Sequence, residues 1–484
     1  MSNPHDSFAR DVGGWLMTVD PVRVAWRHAA LAFSFVLLAL AAGMALRFEL
    51  LTPALDHLSP KTFGTLLSMH GTLMMYFIAL PVFPGVLAHA MLPGLLGNHG
   101  FAFPRLMRAS WHLLALGGLL VAGGFFVGGT EAGWTFDTSF GGRFTSPGIL
   151  PAALGVFLSA LSMSLMGINI ATTIQVHRRT NGSVLAPLAS AFLWSSLLAI
   201  VAGPVLATCT AAVIADRLLD LAVFAPAAGG DPAMFATLFS LFTLPAQNMI
   251  FLAALGVVAQ VILTRTRSGT GSAKSFARAF AVIAAGGVLA WGGAGMARAA
   301  DGTLGWVTLP LTALIAVAAG LVILLCLNAL RKGILQVDTP MVYALGFLVT
   351  LSTSLIMGLL LSMPVTQRAL GNTTFATAHL HTTMTALLGM AFMAGLHDAW
   401  PRLSGRRFSE SAGKGAAALI VLATPLSYLP VYAMGRAGAS FRSNSYSGEF
   451  QVLQVMAAAG ASLLLAGVAI ALINLIAARR SASN

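Results

Sequence analysis

Long apolar stretches separated by short polar segments run along the whole chain. A helix needs about 20 apolar residues to cross the hydrocarbon core of a bilayer, and many of these stretches reach or exceed that length. The pattern predicts twelve spans, near 28–50, 64–91, 109–128, 149–176, 184–214, 233–264, 279–297, 305–330, 341–363, 373–398, 416–435 and 452–477. A membrane β-barrel would require short segments of alternating polarity instead. The predicted fold class is therefore an all-α integral membrane protein with twelve transmembrane helices.

Composition agrees with this assignment. The chain has 57% hydrophobic residues and only 9% charged residues, which are too few to cover the surface of a water-soluble globule. The two cysteines, Cys209 and Cys326, both lie in apolar stretches, so neither a disulfide framework nor a cysteine-rich metal site is expected. Lipid is therefore the first expected partner.

The basic residues predict the orientation of the chain. We expect a cytoplasmic N-terminal segment (1–27), a membrane domain (28–477) and a cytoplasmic C-terminal tail (478–484), with no cleaved signal peptide. With both termini inside, most of the 27 lysines and arginines fall on the cytoplasmic side, as the positive-inside rule requires. The net charge of +12 is then a topology signal and gives no reason to expect a nucleic acid partner.

Three histidines lie inside predicted spans and away from the span ends. His70 is about two turns into span 2, and His379 and His381 are about two turns into span 10. Both spans start at the outer face, so the three rings share a similar depth. A single buried histidine is often satisfied by a neighbouring hydroxyl or carbonyl, but three at one depth favour haem ligation. At about 100° per residue, His379 and His381 point in nearly opposite directions and would serve two different sites.

Several motifs carry a family resemblance. They are Met69-His70-Gly71-Thr72, Phe103-Pro104-Arg105-Leu106, Ser146-Pro147-Gly148 and Ala378-His379-Leu380-His381, together with the hairpin from Met44 to Thr72. In this order, across nearly the whole chain, they resemble subunit I of the haem-copper oxidases. The resemblance implies a twelve-helix haem-binding bundle in a bacterial inner membrane.

The resemblance also implies roles for individual residues. His70 and His381 match the two axial ligands of the family's low-spin haem, and His379 matches the proximal ligand of its high-spin haem. Arg47 matches an arginine that the family places near the low-spin haem. Arg436 matches the first of two arginines that contact haem propionates. These five residues form the predicted cofactor site, with the three histidines as iron ligands.

Other family positions are changed. The stretch that would supply a copper ligand and the active-site tyrosine reads Leu244-Pro245-Ala246-Gln247-Asn248, and the positions of an adjacent histidine pair read Gly293 and Ala294. No histidine occurs between His177 and His379. Positions of the family's proton routes and haem surroundings are changed at Gly100, Ala319, Val322, Gly371, Asn372, Leu380 and Ala437. We therefore expect no copper, and no reduction of oxygen to water by this chain alone.

Four functional hypotheses follow. The leading one is respiratory electron transfer within a multi-subunit complex that includes a redox donor such as a cytochrome c or a copper protein. The second is a divergent terminal oxidase or gas-reducing enzyme that uses a haem at His379. The third is a non-catalytic haem-based sensor or structural subunit. The fourth, a transporter, is disfavoured because all aspartates and glutamates lie in loops or at span ends, no lysine lies inside a span, and no convincing inverted repeats are present.

Overall fold

A bundle of long helices accounts for most of the residues that the structure describes. The computed structural model describes residues 13–54, 57–97, 100–136, 146–181, 184–221, 223–224, 229–267, 272–289, 305–441 and 443–480. The first six long helices are α1 (Pro21–Glu49), α2 (Pro60–Leu96), α3 (Pro104–Phe126), α4 (Ile149–Asn181), α5 (Pro187–Leu219) and α6 (Pro232–Thr266). The second six are α7 (Ala273–Leu289), α8 (Gly305–Lys332), α9 (Thr339–Ser362), α10 (374–404), α11 (Glu410–Arg436) and α12 (Gln451–Ile476).

Within the described residues, ten of these helices are long and apolar enough to cross a membrane. The other two are α7, described over 17 residues, and the interrupted α10. The twelve long helices correspond one to one to the twelve predicted spans, so the predicted fold class is confirmed. Helix ends differ from the predicted span ends by several residues, because hydropathy marks only the apolar part of a helix.

Local sequence explains where the key helices begin. α1 starts at Pro21, seven residues before the predicted span, because Asp20 caps it through the Arg23 amide at 2.8 Å. α2 starts at Pro60 behind a Ser59 cap, and α10 starts at Thr374 behind a Thr373 cap. Proline at the first helical position costs no hydrogen bond, since that amide has no partner within the helix.

Two of the described helices contain π-helical stretches within otherwise regular α-helix. α2 contains π-helical stretches at Leu73–Ala79 and Phe83–Ala88, and α10 contains one at Thr385–Phe392. Pro81 and Pro84 lie in the affected part of α2 and remove amide donors there. The first stretch begins three residues after His70, and that of α10 begins four residues after His381. Such bulges often accompany functional sites because they change the direction of side chains.

The helices differ in how far they are enclosed. In the apolar windows of α2 and α6, 83% and 89% of the residues are buried, against 28% in α1 and 22% in α12. The helix that carries His70 therefore runs through the centre of the bundle. At one end of the bundle, a short antiparallel ladder joins β1 (Arg406–Arg407) to β2 (Arg479–Arg480).

Candidate functional site

His70 on α2 and His381 on α10 face each other. Their ring centroids are 6.1 Å apart and their planes differ by 9°. Two metal–nitrogen bonds of about 2.0–2.1 Å, with roughly 1.1 Å from each nitrogen to its ring centre, predict about 6.3 Å for two imidazoles on opposite sides of one metal. The observed separation therefore fits two axial ligands of a single metal ion.

The hydrogen bonds of the two rings leave one nitrogen of each available. Nδ1 of His70 donates to the Ala39 carbonyl at 2.8 Å, and Nδ1 of His381 donates to the Thr377 carbonyl at 2.9 Å. A carbonyl can only accept, so each Nδ1 carries the ring proton and each Nε2 keeps its lone pair. A histidine that ligates a metal usually donates its other nitrogen in this way, which fixes the tautomer and the ring orientation.

Gly43 on α1 allows His70 to reach the backbone of α1. A Cβ atom at position 43 would lie 2.9 Å from His70 Nδ1 and 3.0 Å from its Cε1. Any larger residue would therefore push the ring away from the Ala39 carbonyl. Gly43 was not predicted, because one glycine among many in an apolar stretch carries no recognisable signal.

Two further side chains surround the pair. The Arg47 guanidinium, in the last turn of α1, interacts electrostatically with His70, His381 and Tyr428. The Tyr428 ring of α11 lies 6.0 Å from that of His381, and its hydroxyl pairs with that of Thr385 at 3.0 Å. Arg47 was predicted at this site, whereas Tyr428 was not, because an aromatic residue in an apolar span resembles ordinary core.

His379 lies on another side of α10, beside α9. A Cβ atom at Gly358 of α9 would lie 3.1 Å from His379 Cε1 and 3.3 Å from its Nε2. The His379 Nδ1 is buried and has no hydrogen-bond partner among the described residues. The two histidines of α10 thus face different helices, as their spacing predicts.

Arg436 ends α11 and is exposed. Its neighbour Gly435 packs on the start of α10, where a Cβ atom would lie 2.0 Å from the Phe375 amide nitrogen. The C-terminal end of α11 therefore contacts α10 at Phe375, which lies about one helical turn before His379.

The stretch Leu244–Asn248, where the resemblance implies a copper-ligating motif, lies on α6. Asn248 is 6% exposed, and its side-chain Nδ2 donates to the Leu244 carbonyl at 3.1 Å. α7 approaches closely, since a Cβ atom at Gly287 would lie 2.6 Å from Asn248 Nδ2. The predicted positions Gly293 and Ala294 fall outside the described residues.

A second pair of parallel histidine rings was not expected. His28 on α1 and His89 on α2 were assigned to span ends, but they are 2% and 1% exposed, with centroids 5.5 Å apart and planes 13° apart. A Cβ atom at Gly85 would lie 2.4 Å from His28 Cδ2, so the rings are packed directly onto α2. This pair lies toward the opposite ends of the two helices from His70 and Arg47, and is separate from that site.

The fold and the histidines within it define a class: a multi-pass helical membrane protein with imidazoles inside its bundle. Residues 23–463 match the family described as "Cytochrome C and Quinol oxidase polypeptide I". The chain belongs to that family, which is the superfamily of haem-copper oxidase subunit I.

Two relatives and one solved structure show how similar this chain is to other proteins. "Cytochrome c oxidase subunit 1" of Synechocystis sp. is 28% identical over 471 residues, which cover 94% of this chain and 83% of the relative. "Probable cytochrome c oxidase subunit 1-beta" of Nocardia farcinica is 30% identical over 475 residues, covering 95% and 79%. A chain in the solved structure titled "Cryo-EM structure of a heme-copper terminal oxidase dimer provides insights into its catalytic mechanism" has a TM-score of 0.81 at 16% identity, covering 94% of this chain and 84% of that one.

Proposed function

We propose that this chain is an electron-transferring haem subunit of a respiratory membrane complex, with His70 and His381 as the axial ligands of one low-spin haem. The observation that carries the proposal is the parallel pair of imidazoles, 6.1 Å apart. The relatives named as cytochrome c oxidase subunits support the respiratory setting.

The chemistry of the donor set fits haem iron. Both Nδ1 atoms are engaged by backbone carbonyls, so two neutral nitrogen lone pairs remain for the metal. A haem iron with two axial histidines exchanges single electrons and offers no coordination position to a substrate. The site therefore suits electron transfer better than chemistry on a bound molecule.

The surrounding residues take supporting roles in this proposal. Gly43 and the Ala39 carbonyl fix the orientation of His70, and Tyr428 packs beside His381. Arg47 places a positive charge beside the pair, which favours binding of the haem propionates and the reduced state of the iron. Arg436 is proposed to contact a propionate at the same end of the bundle.

We further propose that the chain holds no copper and does not by itself reduce oxygen to water. The residues at the family's copper-ligating stretch on α6 include no histidine, and Asn248 is bonded to its own helix. No histidine lies between His177 and His379 in the sequence. Four-electron chemistry would then need a ligand or a second metal from another subunit.

His379 supports a second candidate function. Its ring is separate from the His70 pair, lies against α9 and has a buried Nδ1 without a partner among the described residues. A second haem held by His379 would make the chain a divergent terminal oxidase, a gas-reducing enzyme or a haem-based gas sensor. A structural subunit without turnover is the remaining alternative.

The proposed setting is the plasma membrane of a bacterium, as the organisms of the relatives suggest. The proposed partners are lipid, other subunits of a respiratory complex, and a redox donor such as a cytochrome c or a copper protein. Both termini are proposed to be cytoplasmic, because this orientation places most arginines and lysines inside.

Haem content and spectra of the purified full-length protein test the proposal. We expect one low-spin haem per chain in reduced-minus-oxidised spectra, and no change on adding carbon monoxide to the reduced protein. Two haems, one of which binds carbon monoxide, would support the His379 alternatives and justify turnover assays. A chain that is folded and free of haem when purified from haem-supplied cells would refute both functions.

A further inference from the structure

The ladder between β1 and β2 pairs arginine with arginine. In the register, Arg407 lies opposite Arg479, and Arg406 lies opposite Arg480. Arg406, Arg407 and Arg479 are exposed. Like charges directly opposite each other destabilise a strand pair, so a bound anion would stabilise this arrangement.

The two strands cannot simply move apart. Asn474, in the last turn of α12, accepts from the Ser409 amide at 3.0 Å and donates to the Ser409 carbonyl at 2.9 Å. These two bonds fasten the segment between α10 and α11 to the end of α12. The arginines on either side of the ladder are therefore held together despite their repulsion.

Neighbouring acids are already used by other groups. Asp398 pairs with Arg265 and Arg402, and Glu410 accepts from the Thr339 amide and hydroxyl, both at 2.8 Å. None of the ion pairs found among the described residues includes Arg406, Arg407 or Arg479. Among the described residues, Arg406, Arg407 and Arg479 are therefore open to an anion from outside the chain.

We propose that the ladder binds the phosphate of an anionic phospholipid headgroup in the leaflet at this end of the bundle. Guanidinium groups match phosphate oxygens with paired hydrogen bonds, and clustered arginines at the end of a membrane helix attract anionic lipid. Ile473 and Ile476 on the last turns of α12 are each 64% exposed, and they offer an apolar surface for the acyl chains. Inorganic phosphate has no acyl chain that could pack on that surface.

The test compares lipids on the full-length protein in neutral detergent. Phosphatidylglycerol, phosphatidylcholine and inorganic phosphate are added separately, and bound lipid is counted by native mass spectrometry beside the thermal unfolding midpoint. The wild type should bind phosphatidylglycerol at least tenfold more tightly than phosphatidylcholine. The triple variant Arg406→Gln, Arg407→Gln, Arg479→Gln should lose this preference.

The control is the double variant Arg331→Gln, Lys332→Gln, which removes two exposed charges from the end of α8. It should keep the preference. Equal binding by the triple variant and the control would overturn the proposal, and so would equal stabilisation by inorganic phosphate. If the triple variant does not fold, replacing the same three arginines with lysine keeps the charge, and unaltered affinity would then refute paired guanidinium–phosphate bonding. This test measures lipid binding and thermal unfolding and does not measure haem content. A negative result for lipid binding therefore leaves the proposed haem function untouched.

Discussion

At the scale of single residues, the proposed haem site depends on small features beside the two ligands. Gly43 provides the space that lets His70 bond to the Ala39 carbonyl, and Arg47 provides the charge beside both rings. These contributions are separable, because one fixes geometry and the other sets electrostatics.

Replacing Gly43 with alanine should displace His70. The new methyl group would meet Nδ1 at 2.9 Å, which breaks the bond to Ala39 or turns the ring. We expect a loss of low-spin haem of several-fold and a stability cost of about 1–3 kcal/mol for overpacking. The control is Gly320→Ala on α8, where nothing lies within 4 Å of the added Cβ. Equal haem content in the two variants, measured by absorbance per chain, would contradict the role of Gly43.

Replacing Arg47 with glutamine should lower the midpoint potential of the low-spin haem. A nearby positive charge disfavours the oxidised iron, so its removal favours oxidation. At an effective dielectric constant near 20, a charge 8–16 Å away contributes about 1–2 kcal/mol, or about 40–90 mV. Redox titration measures the shift, and the exposed Arg368→Gln should leave the potential unchanged. A rise in potential for Arg47→Gln would contradict the account.

At the scale of secondary structure elements, ion pairs connect the ends of α6, α9 and α10. Arg265 of α6 contacts Asp338 at 3.0 Å and also Asp398, and these three side chains are 14–19% exposed. Asp338 in addition caps α9 through the Met341 amide. Arg265 therefore holds two carboxylates that would otherwise repel each other.

Removing Arg265 should be costly for this reason. Arg265→Gln leaves two poorly solvated carboxylates without their shared cation, and breaking such a pair costs about 3–5 kcal/mol. Arg402→Gln is the matched control, because Arg402 pairs with Asp398 at 2.9 Å but is 58% exposed, so its loss should cost at most about 1 kcal/mol. Denaturant unfolding in detergent measures the free energy of unfolding of both variants. Similar losses in both variants would show that Arg265 does not organise this end of the bundle.

The elements were predictable from the sequence to different degrees. Apolar stretches fixed the number and order of helices, because crossing a bilayer requires about 20 apolar residues in each. The π-helical stretches after His70 and His381 were not predictable, since they depend on packing between helices. The ladder of Arg406 and Arg407 was also missed, because a two-residue strand has no periodicity to detect.

The site was predictable only in part for a related reason. His70, His379 and His381 are rare polar residues within spans and could be found by inspection. Their mutual orientation, the approach at Gly43 and the position of Tyr428 depend on contacts between segments distant in the chain. The buried His28–His89 pair was missed because hydropathy placed both residues at span ends, whereas α1 and α2 continue beyond them.

At the scale of the whole molecule, the chain has the fold of its family. α2 and α6 form the enclosed centre, and the predicted haem ligands lie on α2 and α10. The stretch of α6 where the resemblance implies a copper ligand, residues 244–248, has no histidine. The proposed function is therefore that of an electron carrier and not of a complete oxygen-reducing centre.

The orientation of the whole chain is also testable. With both termini in the cytoplasm, a fluorescent protein fused after Asn484 should be bright, and an alkaline phosphatase fused there should be inactive. The same reporters placed in the loop between α9 and α10 should give the opposite result. An active phosphatase at the C-terminus would reverse the proposed topology.

The central claim is that His70 and His381 ligate one low-spin haem. Electron paramagnetic resonance of the oxidised protein tests it most directly, with His70→Ala, His381→Ala and His379→Ala compared with the wild type. The expected result is a low-spin bis-imidazole signal in the wild type and in His379→Ala, and its loss in both other variants. An unchanged signal in His70→Ala or in His381→Ala would contradict the account.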